Sequence, residues 1–137
     1  MKEEGIKLPI FGNPILVTTS VHEKSGRGFD ENTFSVIPFT DKNTKEASEL
    51  IEKYRNKYQS GVPYNLFYVS ASYDATYMLK GAIEKCGDNT DCVRDYFSEL
   101  EYSGASANYR FKESGDPYFD SWAEIRIVNG TEAIEPL

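Results

Sequence analysis

The chain has 137 residues, of which 39% are hydrophobic and 27% are charged, a composition typical of one ordinary folded domain. Its formal net charge of −7 makes nucleic acid and anionic membrane surfaces poor partners. No apolar run approaches the roughly 20 residues that a membrane-spanning helix needs. Met1 is followed by Lys-Glu-Glu-Gly, not by the apolar segment of a signal peptide, so we expect the chain to stay where it is made unless a leader was removed from it.

The first 39 residues contain short strand candidates separated by loops. Residues 6–11 predict a strand, and Gly12-Asn13-Pro14 predicts a turn. Residues 15–21 fit either a short strand or an irregular apolar loop. Residues 33–39 predict a second strand, which Pro38 bends near its end.

A helix is predicted from residue 44 to residue 58. Asn43 is the expected cap, and Glu46 reaches back from the third helical position as in a capping box. The helix should end before Ser60-Gly61-Val62-Pro63. Its apolar positions recur at helical spacing and form the expected buried stripe: Ala47, Leu50, Ile51, Tyr54 and Tyr58.

Residues 64–86 form the unit around which the rest is organised. The run Leu-Phe-Tyr-Val at 66–69 predicts a strand buried on both faces, and Ser70 or Ser72 then caps a helix. The expected helical stripe is Ala75, Met78, Leu79, Ala82, Ile83 and Cys86. In an open α/β sheet, ligands bind where such a strand ends and its helix begins. A core βα unit without a ligand is the alternative.

Cys86 and Cys92 are the two cysteines, six residues apart. This spacing fits neither a CxxC redox motif nor a zinc site, and a single histidine, His22, adds little. A disulfide between the end of one helix and the start of the next is geometrically feasible, and it would indicate an oxidising compartment. Two free structural thiols are the alternative.

The last 50 residues change from helical to strand periodicity. Asn89 or Thr90 starts a short helix, and alternation after Gly104 predicts a hairpin that turns at residues 113–117. Ala123, Ile125 and Ile127 alternate on a last strand that Asn129-Gly130 closes, and we expect a loose tail after it. Strands, helices and a hairpin in this order indicate an α/β or α+β class.

No catalytic, metal or cofactor motif stands out. His22 lies in a region that reads as a polar loop, and Gly26-Arg27-Gly28 lacks the spacing of a phosphate-binding loop. Asp116 and Asp120 lack the spacing of a calcium loop. We therefore expect neither an enzyme nor a bound metal or cofactor.

The order and spacing of several segments resemble the C-terminal part of Leu/Ile/Val-type solute-binding proteins, the type I periplasmic binding proteins of ABC importers. The matching stretches are residues 4–12 (EGIKLPIFG), 39–58 (ending in EKYRNKY), 62–64 (VPY), 72–75 (SYDA), 83–87 (IEKCG), 92–95 (CVRD), 109–117 (YRFKESGDP) and 125–130 (IRIVNG). The resemblance implies a partial type I binding-protein fold, with βα units and a C-terminal β-hairpin.

By this resemblance, residues 1–39 and 122–137 belong to the second lobe of a two-lobed protein, and residues 40–121 belong to the first lobe. Pro38 and Phe39 would lie at a hinge crossover. Most of both lobes would be absent, which implies either a homodimer or rearrangement into a single domain, or else a missing N-terminal portion. Exposed apolar sheet edges would be a liability unless another chain covers them.

The resemblance also implies a ligand site and partners. Tyr68 falls where the family places an aromatic side chain against the ligand, and Ser70 and Ser72 follow it. Asn13, Pro14 and Ile15 fall on the loop where amino-acid binders carry a carboxylate, so a neutral or anionic solute is at least as compatible as an amino acid. The implied function is the small-solute-binding component of an extracytoplasmic ABC importer, which acts with a permease. A ligand-sensing regulator of the same fold is the alternative.

Overall fold

The computed structural model describes residues 8–25, 33–38, 44–59, 66–119, 121–129 and 131–137. The chain divides into two compact units, one formed by Met1–Phe39 with Ser121–Leu137 and the other by Thr40–Asp120. The strands are β1 (Ile10–Phe11), β2 (Thr33–Pro38), β3 (Tyr102–Ser103), β4 (Asn108–Phe111), β5 (Pro117–Tyr118), β6 (Trp122–Val128) and β7 (Thr131–Pro136). The helices are α1 (Thr19–Ser25), α2 (Lys45–Tyr58), α3 (Leu66–Cys86) and α4 (Thr90–Ser98), and a 3₁₀ turn spans Pro14–Val17.

The first unit is built on a four-stranded sheet in the order β1-β2-β6-β7. β1 pairs parallel to β2, and the other two pairs are antiparallel. Strand alternation buries Ala123, Ile125 and Ile127 of β6 on one face. The 3₁₀ turn packs against β2 and β6 and places Val17 in this core, fully buried.

The second unit packs α3 and α4 against a three-stranded antiparallel sheet in the order β3-β4-β5. Met78 of α3, with Ala107 and Tyr109 of the sheet, forms the buried centre of its core. Around these three pack partly buried hydrophobic side chains: Phe97, Leu100, Tyr102, Phe111 and Phe119. The predicted mixed α/β class and the predicted hairpin are confirmed.

The predicted strand at residues 66–69 is wrong, because these residues form the first turn of α3. A four-residue apolar run has no periodicity that separates a strand from a buried helical turn. Here the run continues into 17 further helical residues, so one long helix replaces the strand, turn and helix. The helix start therefore lies at Leu66, and Ser70 and Ser72 are inside the helix instead of capping it.

Other boundaries also differ from the sequence predictions. The strand expected at residues 6–11 is described only as Ile10–Phe11, and neither a strand nor an irregular loop covers 15–21, where the 3₁₀ turn and α1 lie. His22 is accordingly in a helix. The tail expected to be loose is β7, which pairs with β6 from Thr131 to Pro136. Thr44, not Asn43, caps α2 by accepting a hydrogen bond from the Ala47 N–H, and Asn43 itself lies outside the described residues.

Candidate functional site

Asn13 and Pro14 shape a tight turn in the first unit. Asn13 Oδ1 accepts a hydrogen bond from the Ile15 N–H at 3.0 Å, and Pro14 begins the 3₁₀ turn. Val17 and Thr18 anchor this turn in the core, and Thr18 Oγ1 donates to the Ile15 carbonyl at 3.0 Å. The structure thus brings Asn13, Pro14 and Ile15 together in an anchored turn whose side chains carry no charge.

Tyr68, Ser70 and Ser72 lie in the first two turns of α3. Ser70 is buried, and its hydroxyl donates to the carbonyls of Leu66 at 2.7 Å and Phe67 at 3.0 Å. Tyr68 is half-buried with its ring edge-on to Phe67, at 5.4 Å between centroids, and Ser72 is exposed. Tyr68 and Ser72 share one helical face because they are four residues apart, whereas the Ser70 hydroxyl bonds within its own helix.

Pro38, a predicted hinge residue, ends β2 and lies opposite Trp122 in the register of β2 and β6. Phe39, the other predicted hinge residue, lies outside the described residues. The first unit runs to Phe39 and resumes at Ser121. Pro38 therefore lies next to one of the two points at which the chain passes from one unit to the other.

Asp74 is a buried ionisable group that the sequence reasoning missed. Its side chain is fully buried in the second unit. Oδ1 accepts the Ala105 N–H at 2.8 Å, and Oδ2 accepts both the N–H and the hydroxyl of Ser106, at 2.8 and 2.6 Å. The Ser106 hydroxyl also lies 2.6 Å from the Tyr109 hydroxyl. All of these partners belong to the protein, so Asp74 fixes the segment before β4 against α3.

Lys53, Tyr73 and Tyr77 form a polar cluster that joins α2 to α3. Lys53 Nζ donates to the Tyr73 hydroxyl at 2.9 Å, and the rings of Tyr73 and Tyr77 lie 4.7 Å apart. This hydrogen bond raises the pKa of Lys53 and lowers the pKa of Tyr73. A hydrogen bond with Tyr73 raises the pKa of Tyr77. The cluster is at the surface, where water screens its charge.

A groove of about 400 Å³ lies between α4 and the hairpin of β4 and β5. Its floor is formed by Phe97 and Phe111, which stack edge to face at 5.6 Å between ring centroids. Charged side chains of both signs also line it, namely Arg94, Lys112 and Glu113. None of the predicted ligand-binding residues lines this groove.

The disulfide between Cys86 and Cys92 joins the end of α3 to the start of α4, with 5.6 Å between the two Cα atoms. The sequence prediction of this bridge is confirmed. Within the described ranges, no cluster of three or more His, Cys, Asp or Glu side chains could hold a metal ion. No helix in the same ranges is both long and apolar enough to cross a bilayer.

The fold is that of the substrate-binding proteins of ABC transporters, as comparison with solved structures shows. The leucine-binding protein LivK of Thermotoga maritima superposes with a TM-score of 0.76 at 22% identity, over 98% of this chain and 38% of its own. LivJ of Streptococcus pneumoniae, solved with isoleucine, superposes with a TM-score of 0.73 at 15% identity, over 99% of this chain and 39% of its own. A solute-binding protein of R. palustris, solved with benzoate, superposes with a TM-score of 0.67 at 14% identity, over 94% of this chain and 37% of its own.

The resemblance to Leu/Ile/Val-type binding proteins inferred from the sequence is confirmed at the level of the fold. This chain spans a little under two fifths of the length of the solved proteins that it matches. No protein-family profile matches the sequence. Comparison with curated protein sequences gives no significant match.

Proposed function

We propose that this chain is a C-terminal portion of the solute-binding component of an ABC importer. The observation that carries the proposal is the superposition of nearly the whole chain on leucine- and isoleucine-type binding proteins, with TM-scores of 0.76 and 0.73. A fold agreement of this extent includes both units and their order along the chain. The protein then binds a small solute without chemical change, and affinity comes from closure of two lobes around it.

The two compact units correspond, in this proposal, to segments of the two lobes. Residues 1–39 and 122–137 belong to the second lobe, and residues 40–121 belong to the first. The boundaries of the two compact units fall at almost the same positions, between Phe39 and Thr40 and between Asp120 and Ser121, which supports the assignment. Pro38 and Phe39 then act as hinge residues at one crossing.

The ligand is a small amino-acid-like molecule or a small organic acid or amide. Asn13, Pro14 and Ile15 on one lobe, with Tyr68, Ser70 and Ser72 on the other, are its proposed contacts. The Asn13 turn has no charge, and an ammonium group buried there would lack an anion to offset its lost hydration. A benzoate-bound protein of the same fold supports the view that this architecture can hold an anionic acid instead. The Ser70 hydroxyl would have to leave its bonds within α3 to contact the ligand.

An ABC permease and a site of action outside the cytoplasm complete the proposal. The Cys86–Cys92 disulfide supports the location, because such bonds persist in oxidising compartments. Import then requires the permease, which would receive the solute from the full-length protein.

Calorimetric titration of the oxidised full-length protein tests the proposal, with leucine, isoleucine, valine and benzoate as separate probes. We expect saturable binding of at least one probe and no chemical conversion. Tyr68→Ala should weaken that binding by more than about 1 kcal/mol, because a buried aromatic contact is lost. Tyr58→Ala is the matched control, since Tyr58 is 57% exposed at the end of α2. Equal losses in both variants, or turnover of a probe, would contradict the proposal. Binding without uptake in vesicles that contain the permease would instead indicate a ligand-sensing regulator.

A further inference from the structure

The groove between α4 and the hairpin of β4 and β5 has two anchored walls. On the α4 side, the Cys86–Cys92 disulfide ties the start of the helix to α3, and Phe97 packs against the core of the second unit. On the hairpin side, Phe111 packs against the same core. Every residue that lines the groove belongs to the second unit. The groove is therefore formed by one unit alone, and its shape exists before any ligand arrives.

The turn at the end of the hairpin positions two charged residues at the groove. The Lys112 N–H donates to the Asp116 carbonyl at 2.9 Å, and the Gly115 N–H donates to the Lys112 carbonyl at 2.8 Å. Gly115 has a φ of 85°, in the left-handed region that glycine enters without strain. These bonds fix the backbone from which the side chains of Lys112 and Glu113 extend.

The charges that line the groove differ in whether they already have a partner. Arg94 Nε and Nη2 donate to Asp95 Oδ1 at 2.9 and 2.8 Å, and Arg94 Nη1 donates to Asp91 Oδ1 at 3.1 Å. By contrast, neither the Lys112 nor the Glu113 side chain has an ion-pair partner among the residues that the structure describes. The groove therefore offers a ligand one ammonium group and one carboxylate that are not already paired.

The floor of the groove is aromatic, and its volume suits a small molecule. About 400 Å³ lies within the range of roughly 300–1,000 Å³ that is typical of small-molecule sites. Phe97 and Phe111 are both half-buried, so each ring keeps surface that a further aromatic ring can contact. A ligand that is only an anion is repelled by Glu113, and one that is only a cation is repelled by Lys112. A ligand with both charges and an aromatic body matches all of these features.

We propose that this groove is a second ligand-binding site, which takes a small zwitterion with an aromatic body. The ligand carboxylate pairs with the Lys112 ammonium, and the ligand ammonium pairs with the Glu113 carboxylate. The ligand ring packs on Phe97 and Phe111. This site goes beyond the proposed function, because it lies within one unit, needs no closure of two lobes and shares no residue with the proposed lobe contacts. Binding is weak, because both charged side chains are exposed to water.

A chemical-shift titration of the isotope-labelled, oxidised full-length protein with phenylalanine tests the proposal. At about pH 6 the α-amino group of every probe that has one is protonated. We expect saturable shifts of the backbone amides of Phe97 and of residues 112–115. No shift in these amides would overturn the proposal.

Three analogues of phenylalanine test the chemistry of the site. Phenylalaninamide lacks the carboxylate and N-acetylphenylalanine lacks the ammonium, so each should bind about fivefold more weakly, as for the loss of one exposed ion pair. Cyclohexylalanine keeps both charges but has no aromatic ring, so it should also bind more weakly than phenylalanine. Equal affinity for all four probes would overturn the proposal.

Charge-removing variants assign the two ion pairs to their residues. Lys112→Gln should bind phenylalanine and phenylalaninamide equally, because the partner of the ligand carboxylate is gone. Glu113→Gln should likewise lose the preference for phenylalanine over N-acetylphenylalanine. Lys57→Gln and Glu52→Gln, at exposed positions of α2 outside the groove, are the matched controls and should keep both preferences. Both preferences retained in the groove variants would contradict the assignment.

Tyr68→Ala separates this site from the proposed lobe site. Tyr68 does not line the groove, so its removal should leave the phenylalanine affinity measured at residues 112–115 unchanged. Loss of those shifts in Tyr68→Ala would overturn the proposal, because the shifts would then report binding elsewhere. Binding at the groove is thus measured independently of binding between the lobes, and failure of either proposal leaves the other result distinct.

Discussion

Asp74 and Ser106 are joined by two hydrogen bonds to one carboxylate oxygen, from the Ser106 N–H at 2.8 Å and from its hydroxyl at 2.6 Å. Asp74 is in the middle of α3, whereas Ser106 lies between β3 and β4. The other carboxylate oxygen of Asp74 accepts a hydrogen bond from the Ala105 N–H at 2.8 Å. A fully buried carboxylate is stable in the folded protein because these donors replace the water that it loses.

Asp74→Asn should lower the free energy of unfolding by about 3 kcal/mol. The amide that replaces one oxygen is a donor, so it faces an N–H or hydroxyl group that then has no acceptor. Urea denaturation followed by circular dichroism measures the change. Asp88→Asn, at an exposed position after α3, should change stability by less than about 0.5 kcal/mol. Equal effects of the two substitutions would contradict the role of Asp74.

Gly104→Ala should destabilise the second unit by about 2 kcal/mol or more, because the added methyl group would overlap the buried Asp74 carboxylate. Gly81→Ala is the comparison within the same unit. There the methyl group would approach the Tyr96 hydroxyl, which is at the end of a side chain that can rotate away. Alanine also favours the helix by about 1 kcal/mol over glycine. Thermal melts should therefore rank Gly104→Ala well below Gly81→Ala, and the reverse order would be inconsistent with the structure.

Stability should fall above about pH 10, and Tyr109 is one cause. Burial raises the pKa of Tyr109, and the hydrogen bond with Ser106 opposes this only in part. Above the ordinary tyrosine pKa the unfolded chain releases a proton that folded Tyr109 retains, so rising pH favours unfolding. Tyr109→Phe should make this decline shallower in urea titrations between about pH 9 and about pH 11, which span about one unit on either side of the ordinary tyrosine pKa. Burial raises the pKa of Tyr102 as well, so the decline should persist in part. An unchanged slope would contradict the assignment to Tyr109.

The Cys86–Cys92 disulfide should contribute about 2 kcal/mol, the value expected for closing a loop of this short length. Replacing both cysteines with serine should lower the free energy of unfolding by this amount in non-reducing buffer. Adding a reductant to the wild-type protein should have the same effect, while the double variant should not respond. Mass analysis of protein taken from its native compartment should find the bridge, and two free thiols there would remove the support for an extracytoplasmic location.

Local signals in the sequence were sufficient for the elements whose residues repeat at one period. The alternation of Ala123, Ile125 and Ile127 predicts β6, and Asn89 caps α4 as expected, accepting the Cys92 N–H at 3.0 Å. The prediction of a strand at residues 66–69 failed because four apolar residues fit either a buried strand or a helical turn. The sequence did not predict β7, because this strand depends on pairing with β6, which is a tertiary interaction and has no local signal.

The candidate site was predictable only in outline. Asp74 sits four residues from Ser70 and from Met78 on the buried face of α3, so an acidic residue on an otherwise packed face was an available signal. The partners of that residue come from a segment about thirty residues later, and no spacing rule predicts them. The turn at Asn13 was correctly expected, because Gly-Asn-Pro favours a turn, but the 3₁₀ geometry depends on Val17 and Thr18 packing into the core.

The pairing of β2 with β6 has a consequence for the order of folding. Pro38 faces Trp122 across this pair, and the entire second unit is synthesised between the two strands. Closure of so long a loop is entropically slow, whereas the contacts around Met78 and Asp74 need only residues of the intervening segment. On the ribosome, the inserted unit can therefore complete its own core first, and the pairing of β2 with β6 has to wait until that unit has been synthesised.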